Sequence, residues 1–300
     1  MRKEFLVVNS FAEQAFGGNP AAVLPDASGL TDAQMQAIAR QLNLVETVFV
    51  LPAAETGADL RFRYFTPVQE LPVAGHPTVA AVLALIEQGR LPMAADRDYR
   101  IRTGAGIQRV TVARNERGPV VVMEQPRPEF LPPLDDRAAV AELFGLRLED
   151  LLPDLPVQPV HTGLGHLIVP LRTLEALFRA ERRILPLKSF CAGLGIREAQ
   201  LFTPETLDPQ KDLHTRNICP REGLEDPGCG VGNGALGAYL LRHYYRGETA
   251  IRLRAEQGNI VNMPCVIEIH AQRSQDGIRV SIGGNGRLMI RGEFYLDQPE

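Results

Sequence analysis

The sequence predicts an α+β protein of two pseudo-symmetric lobes, each a curved, mostly antiparallel sheet or barrel around a buried central helix. Three observations predict it. The chain has 300 residues, beyond the size at which one hydrophobic core usually stops growing. A set of residues in the first half returns in the same order in the second. Each copy leads through a glycine-rich turn into a helix apolar on every side, which has to be buried.

Arg63-Tyr64-Phe65-Thr66-Pro67, followed by Glu70 and Gly75, returns as Arg216-Asn217-Ile218-Cys219-Pro220, followed by Glu225 and Gly230. The shift from Arg63 to Arg216 equals that from Pro67 to Pro220. From Glu70 to Glu225 and from Gly75 to Gly230 it is two residues larger, as a single short insertion would make it. Weaker echoes pair Gly18-Asn19-Pro20-Ala21-Ala22-Val23 with Gly165-His166-Leu167-Ile168-Val169-Pro170, and Thr103-Gly104-Ala105-Gly106 with Glu256-Gln257-Gly258-Asn259. A constant period of half the chain is the signature of a repeated structural unit.

Taken in order, a strand and turn over Phe5–Val23 lead to an amphipathic helix at about Thr31–Leu42. Its Met35, Ile38, Ala39 and Leu42 fall at helical spacing, and Thr31 or Asp32 can cap it. Strands follow at Val48–Leu51 and, with period-two alternation, Leu60–Phe65. The buried helix Pro77–Gln88 has its counterpart at about Gly232–Arg246. Strands around Gln108–Arg114 and Pro119–Gln125 close the first half, and the Pro-rich stretch Gln125–Pro133 links the two. The lobes are therefore expected at 1–128 and 129–300, with the last strand, about 287–295, able to pack on the N-terminal lobe.

Composition narrows the function. Apolar residues are 45% and charged ones 23%, ordinary for a soluble globular chain, so disordered, fibrous and membrane proteins are excluded. Net charge is −4 and no Lys/Arg run exceeds two residues, which leaves no nucleic-acid footprint. The N-terminal apolar run is too short for a signal peptide and no window could span a membrane. Cys191, Cys219, Cys229 and Cys265 lack a C-x-x-C spacing, and the histidines lack H-E-x-x-H. Reduced thiols in a cytoplasmic enzyme without a metal site are the expectation.

The two glycine turns, Ala74-Gly75-His76-Pro77-Thr78 and Gly228-Cys229-Gly230-Val231-Gly232-Asn233-Gly234, carry the functional signal. Each opens a helix whose first amides lack intrahelical partners and whose N-terminus is partly positive. Small residues there let a ligand approach the backbone. Two such turns facing one cleft would hold a small carboxylate-bearing molecule. The alternative is that the glycines serve only packing. A dinucleotide site at Gly230-Val231-Gly232-Asn233-Gly234-Ala235 is disfavoured, because Pro220–Pro227 before it reads as a loop rather than an apolar strand.

These residues resemble the PhzF-like isomerases of phenazine biosynthesis, which share the diaminopimelate epimerase-like fold with proline racemase. The resemblance runs through Gly18–Val23, Asn43-Leu44-Val45-Glu46-Thr47-Val48-Phe49-Val50, Arg63–Pro67, Glu70–Thr78, Glu225-Asp226-Pro227 with its glycines, and Glu256-Gln257-Gly258. It implies a homodimer acting without metal or organic cofactor, in which a glutamate in the cleft shuttles a proton between carbons. Glu46 takes that position. Its apolar neighbours Val45, Val48 and Phe49 would raise its pKa towards that of a general base. By the same resemblance His76 and Asp226 are catalytic, and Asn19, Gly75, Cys229, Gly230 and Val231 touch substrate. Glu70 and Glu225 are expected to brace the turns.

The chain departs from the family pattern. Val231 stands where a hydroxyl is usual, Val45 replaces a serine, and Asn262-Met263-Pro264-Cys265 loses an arginine. The phenazine substrate is therefore not carried over. Cys229-Gly230-Val231-Gly232 resembles the second cysteine motif of diaminopimelate epimerase. The equivalent first-half residue is Ala74, so a two-thiol racemase is excluded while a Glu46/Cys229 pair stays open. The third alternative is a small-molecule binding protein that kept the scaffold and lost catalysis.

Overall fold

Of the two caps the sequence offers, Thr31 starts the first helix. Its hydroxyl accepts the Gln34 amide at 3.2 Å while Gln34 Oε1 accepts the Thr31 amide at 3.0 Å, a complete capping box. The computed structural model describes residues 1–53, 57–92 and 97–296. The chain divides into two units, Met1–Met123 with Gly283–Glu300, and Glu124–Ile282.

In the first unit β1 (Arg2–Ser10) and β2 (Asn19–Leu24) form an antiparallel hairpin. Helix α1 (Asp32–Leu42) crosses to β3 (Thr47–Pro52), parallel to β2. Strands β4 (Leu60–Phe65) and β5 (Glu70–Leu71) fold back antiparallel in turn. Helix α2 (Gly75–Glu87) crosses to β6 (Arg97–Thr103), parallel to β4, and β7 (Gly106–Asn115) and β8 (Gly118–Glu124) follow antiparallel.

The second unit repeats this order of pairings. After β9 (Glu129–Phe130) and α3 (Arg137–Leu143), β10 (Gln158–His161) and β11 (Gly165–Pro170) pair antiparallel. Helices α4 (Leu174–Arg179) and α5 (Ile184–Gly193) take the place of α1, and β12 (Glu198–Thr203) runs parallel to β11. Strands β13 (Leu213–Cys219) and β14 (Leu224–Asp226) return antiparallel. Helix α6 (Gly230–His243) crosses to β15 (Ala250–Gln257), parallel to β13, and β16 (Cys265–Ser274) closes antiparallel. The chain leaves through β17 (Gly277–Gly284), and β18 (Gly286–Tyr295) pairs antiparallel with β1.

Each unit wraps its apolar helix. Residues His76 to Leu85 of α2 are all buried, against β1, β2, β3 and β18. Helix α6 is buried from Gly232 to Leu241, against β10, β11, β12, β15 and β16. A side chain such as Val or Leu contributes about 1.5–3 kcal/mol when fully buried, which outweighs the poor helix propensity of the glycines that open α6. Both helices accordingly start two residues before the sequence expectation, inside their glycine turns. The short helices α3, α4 and α5 had no range assigned from the sequence. They enclose a separate core in the second unit around Phe144, Leu177, Leu187 and Leu201.

The stretch expected as a linker is tied down, with β9 paired to β10 and the Gln125 amide donating to Val280 O at 2.9 Å. Among the described residues no helix is long and apolar enough to cross a membrane. All four cysteines are buried, and none forms a disulfide among the described residues.

Candidate active site

In the first unit Glu46 lies between α1 and β3. Asn43 ends α1 in the left-handed region with φ 51°, turning the chain so that Glu46 O accepts the Ala22 amide at 3.2 Å. The Glu46 side chain is 15% exposed, with Oε2 3.5 Å from Nδ1 of His76. His76 is the second residue of α2. Burial pushes its pKa down to about 3, against a smaller upward pull from a hydrogen bond to the Pro20 backbone. The imidazole is therefore neutral at ordinary pH, and its contact with Glu46 is a loose polar one rather than an ion pair. His76 Nε2 and Thr47 Oγ1 are buried without hydrogen-bond partners among the described residues. Buried polar atoms left open in this way mark places where a ligand or water completes the bonding.

The elements behind these groups are firmly held. Ser10 Oγ donates to His76 O at 2.7 Å. The Thr78 hydroxyl donates to Ala74 O at 2.7 Å, so the Tyr64 hydroxyl donates to Thr78 Oγ1 at 2.6 Å. Burial raises the Tyr64 phenol, and the nearby Glu46 charge adds to the rise. Ala74 gives α2 no side-chain cap, so the amides around Gly75 are offered to an outside acceptor. Asn19 heads β2 and is buried. Arg63 Nε and Nη2 donate to both oxygens of Glu70, each at 2.7 Å, which ties β4 to the turn before α2.

In the second unit Asp226 ends β14 opposite Asn217, and its Oδ1 accepts the Gly228 amide at 2.8 Å. Cys229 is the N-cap of α6, with Sγ accepting the Gly232 amide at 3.3 Å. Gly230 opens the helix, and Val231 O accepts Thr162 Oγ1 at 3.2 Å. A Cβ at Gly232 would stand 2.4 Å from Gln200 Oε1 and 2.9 Å from Asn217 Nδ2, so only glycine lets the helix reach that amide pair. Asn233 donates to Cys229 O at 2.9 Å and Gln257 Oε1 at 2.7 Å. Arg216 Nε and Nη2 donate to both oxygens of Glu225 at 2.8 Å, repeating the Arg63–Glu70 arrangement.

The structure thus brings Glu46 and His76 together in one unit, and Asp226, Cys229, Gly230 and Val231 around one helix terminus in the other. It also adds residues the sequence did not single out. His166 Nε2 lies 3.0 Å from Glu198 Oε2, and Cys229 Sγ lies 3.7 Å from each of those atoms. Burial pushes the Cys229 thiol well above its ordinary pKa, and the Glu198 carboxylate pushes the same way. The only sequence signals were His166 inside the repeat echo and a glutamate heading a strand that reads Ala-Gln-Leu-Phe. Glu256 accepts the Leu207 and Asp208 amides and His214 Nδ1, each at 2.8 Å.

A probable proline racemase from Agrobacterium radiobacter superposes on this chain with a TM-score of 0.65, covering 98% of this chain and 93% of that one at 16% identity. The fold is the one shared with such proline racemase-like proteins. Within that class the chain belongs to the phenazine biosynthesis-like (PhzC-PhzF) family, whose model matches residues 8–292. A PhzF-family protein from Bacillus anthracis superposes with a TM-score of 0.91 over 99% of this chain and 100% of that one, at 28% identity. A Bacillus subtilis protein named uncharacterized isomerase YfhB is 34% identical, with 94% of each chain covered. The trans-2,3-dihydro-3-hydroxyanthranilate isomerase of Pseudomonas chlororaphis is 32% identical over 97% of this chain and 99% of its own. The protein is an isomerase-type enzyme.

Proposed function

We propose that this isomerase moves a proton between atoms of a small carboxylate-bearing substrate, without an organic cofactor, and that Glu46 is the general acid/base. The observation that carries the proposal is the Glu46 carboxylate 3.5 Å from a buried, neutral His76 at the head of α2. A neutral imidazole does not hold the carboxylate in an ion pair as a protonated one would, and it does not oppose proton uptake by Glu46. The amides at the head of α2 supply donors for a substrate carboxylate or developing enolate, and the open Nε2 of the neutral His76, whose Nδ1 carries the hydrogen, can accept a hydrogen bond from a substrate N–H or O–H. Asn19 in the first unit, and Gly230 and Val231 in the second, are assigned to substrate contacts. Asp226 is assigned to hydrogen bonding of substrate or a water. The recurring order of strand pairings supports an internal duplication, and a homodimer in the cytoplasm completes the proposal.

The test is deuterium uptake from D2O into a panel of small amino and hydroxy acids, with the substrate named for the Pseudomonas chlororaphis relative included. Loss of a general base costs about 10²–10⁴ in rate, so Glu46→Gln should remove uptake while circular dichroism stays unchanged. Uptake at the wild-type rate in that variant would overturn the assignment.

A second reading uses Glu46 with Cys229 as an amino-acid racemase or epimerase. It is favoured by the position of Cys229 at the head of α6, with an amide on its sulfur. Because burial keeps that thiol protonated, Cys229 would act as the acid. Wild-type racemisation by Cys229→Ala eliminates it.

A further inference from the structure

His166, Glu198 and Cys229 come from β11, β12 and the cap of α6, three points far apart in sequence, and all three are buried. Their donor atoms lie within 4.8 Å of one another, and the spacing is specific. Sγ is 3.7 Å from Nε2, Sγ is 3.7 Å from Oε2, and Nε2 is 3.0 Å from Oε2. A tetrahedral zinc ion has bonds of about 2.3 Å to sulfur and about 2.0–2.2 Å to nitrogen and oxygen. The edges of that tetrahedron are then about 3.6 Å from sulfur and about 3.3 Å between nitrogen and oxygen. The three side chains already stand near three of its corners.

The imidazole tautomer gives an independent argument. His166 Nδ1 lies 3.2 Å from Leu164 O, an acceptor only, so Nδ1 carries the hydrogen. Nε2 then turns its lone pair towards a carboxylate oxygen and a sulfur. Two acceptors 3.0 Å apart repel unless a proton or a metal lies between them. Donation of the far ring N–H to a backbone carbonyl is the arrangement that orients metal-binding histidines. The Gly232 amide on Sγ supports a thiolate in the same way. Arg197 Nε stands 3.7 Å from the other carboxylate oxygen, Oε1, and Arg197 also pairs with Glu222, so that cation leaves Oε2 to the cluster.

We propose that His166 Nε2, Glu198 Oε2 and Cys229 Sγ form a binding site for one divalent transition-metal ion, with Zn²⁺ the best match to a nitrogen, oxygen and sulfur set. Binding expels the thiol proton and the proton shared between Nε2 and Oε2. Thiolate and carboxylate together neutralise the ion, so no net charge is buried. Three protein ligands leave a fourth position for water or a ligand oxygen. The proposal does not depend on Glu46. A metal on Sγ would remove Cys229 from the racemase reading.

Co²⁺ is the probe, because thiolate ligation gives it a near-ultraviolet charge-transfer band and tetrahedral geometry gives intense visible bands. Protein purified from cobalt-supplemented medium, and protein incubated with Co²⁺ after purification, should each hold one ion per chain with both features. Zn²⁺ should abolish them by competition. Cys229→Ser should remove the near-ultraviolet band, and Glu198→Gln should weaken binding by at least about tenfold. Absence of the band from both wild-type preparations in excess Co²⁺ would overturn the proposal without recourse to any variant. So would an unchanged band in Cys229→Ser, which would place the sulfur elsewhere. Deuterium exchange by the metal-free protein is a separate readout, so failure here and failure of the Glu46 assignment are distinguishable.

Discussion

Replacing Arg216 with Met should destabilise the protein far more than the same change at Arg63, although the two arginines hold matching glutamates. Arg216 is 2% exposed. Besides its two bonds to Glu225, it donates from Nη1 to Leu177 O at 2.6 Å and to Ala180 O at 2.7 Å. Removing it leaves two carbonyls and a carboxylate only 2% exposed, with Arg182 Nε at 3.7 Å the remaining cation among the described residues. An uncompensated buried charge of this kind costs about 3–5 kcal/mol. The partners of Arg63 are open to water, Glu70 at 43% and Asp32 at 81%, so that network is worth about 0–1 kcal/mol. Urea unfolding, with midpoint and slope fitted together, measures both variants. The double variant Arg216→Met with Glu225→Leu should recover most of the loss, because no charge is then stranded. Equal losses from Arg216→Met and Arg63→Met would refute the reasoning.

Acid should expose the buried His76. Its folded pKa of about 3 lies below the ordinary 6.5, so between those values the unfolded chain binds a proton that the folded one refuses. Stability therefore falls as pH drops through that window, by about 3 kcal/mol between pH 6.5 and pH 4. His76→Gln should lose less over the same range, and parallel pH profiles would count against a buried neutral imidazole. Gly232→Ala should cost about 1–3 kcal/mol, since Gln200 and Asn217 are fully buried and have no room to retreat. A thermal melt unchanged from wild type would show that the amide pair can move after all. Thr31→Ala should cost about 1 kcal/mol through the lost cap without altering deuterium uptake, which provides a control for variants near the site. Reduced uptake in that variant would tie the rate to stability rather than to chemistry.

Much of the scaffold was legible because its signals are local. Thr31 or Asp32 before an amphipathic run announced the start of α1, alternation marked β4, and the all-apolar run Val79–Ile86 required a buried α2. The matched arginines, glutamates and glycines revealed that the chain repeats a pattern, and the same order of strand pairings appears in both units. Less was legible where long-range packing decides. The helix starts at Gly75 and Gly230 run against glycine propensity, and α4 and α5 are too short for periodicity to reveal. Glu46 was readable as the candidate base, but its neutral partner was not, since the depressed pKa of His76 comes from what surrounds it.

The sequence alone determined the kind of molecule this is: two sets of strands around two apolar helices, each headed by a glycine turn. Those features follow from residue spacing within a few turns of chain. Only the tertiary structure decided which polar groups meet. Spacing showed no metal pattern, because His166, Glu198 and Cys229 share no local motif. They converge because β11 and β12 run parallel, with His166 in register with Glu198, and α6 begins beside them. Pairing register across a parallel crossover is set by the packing of the whole unit, and no local window of sequence contains it.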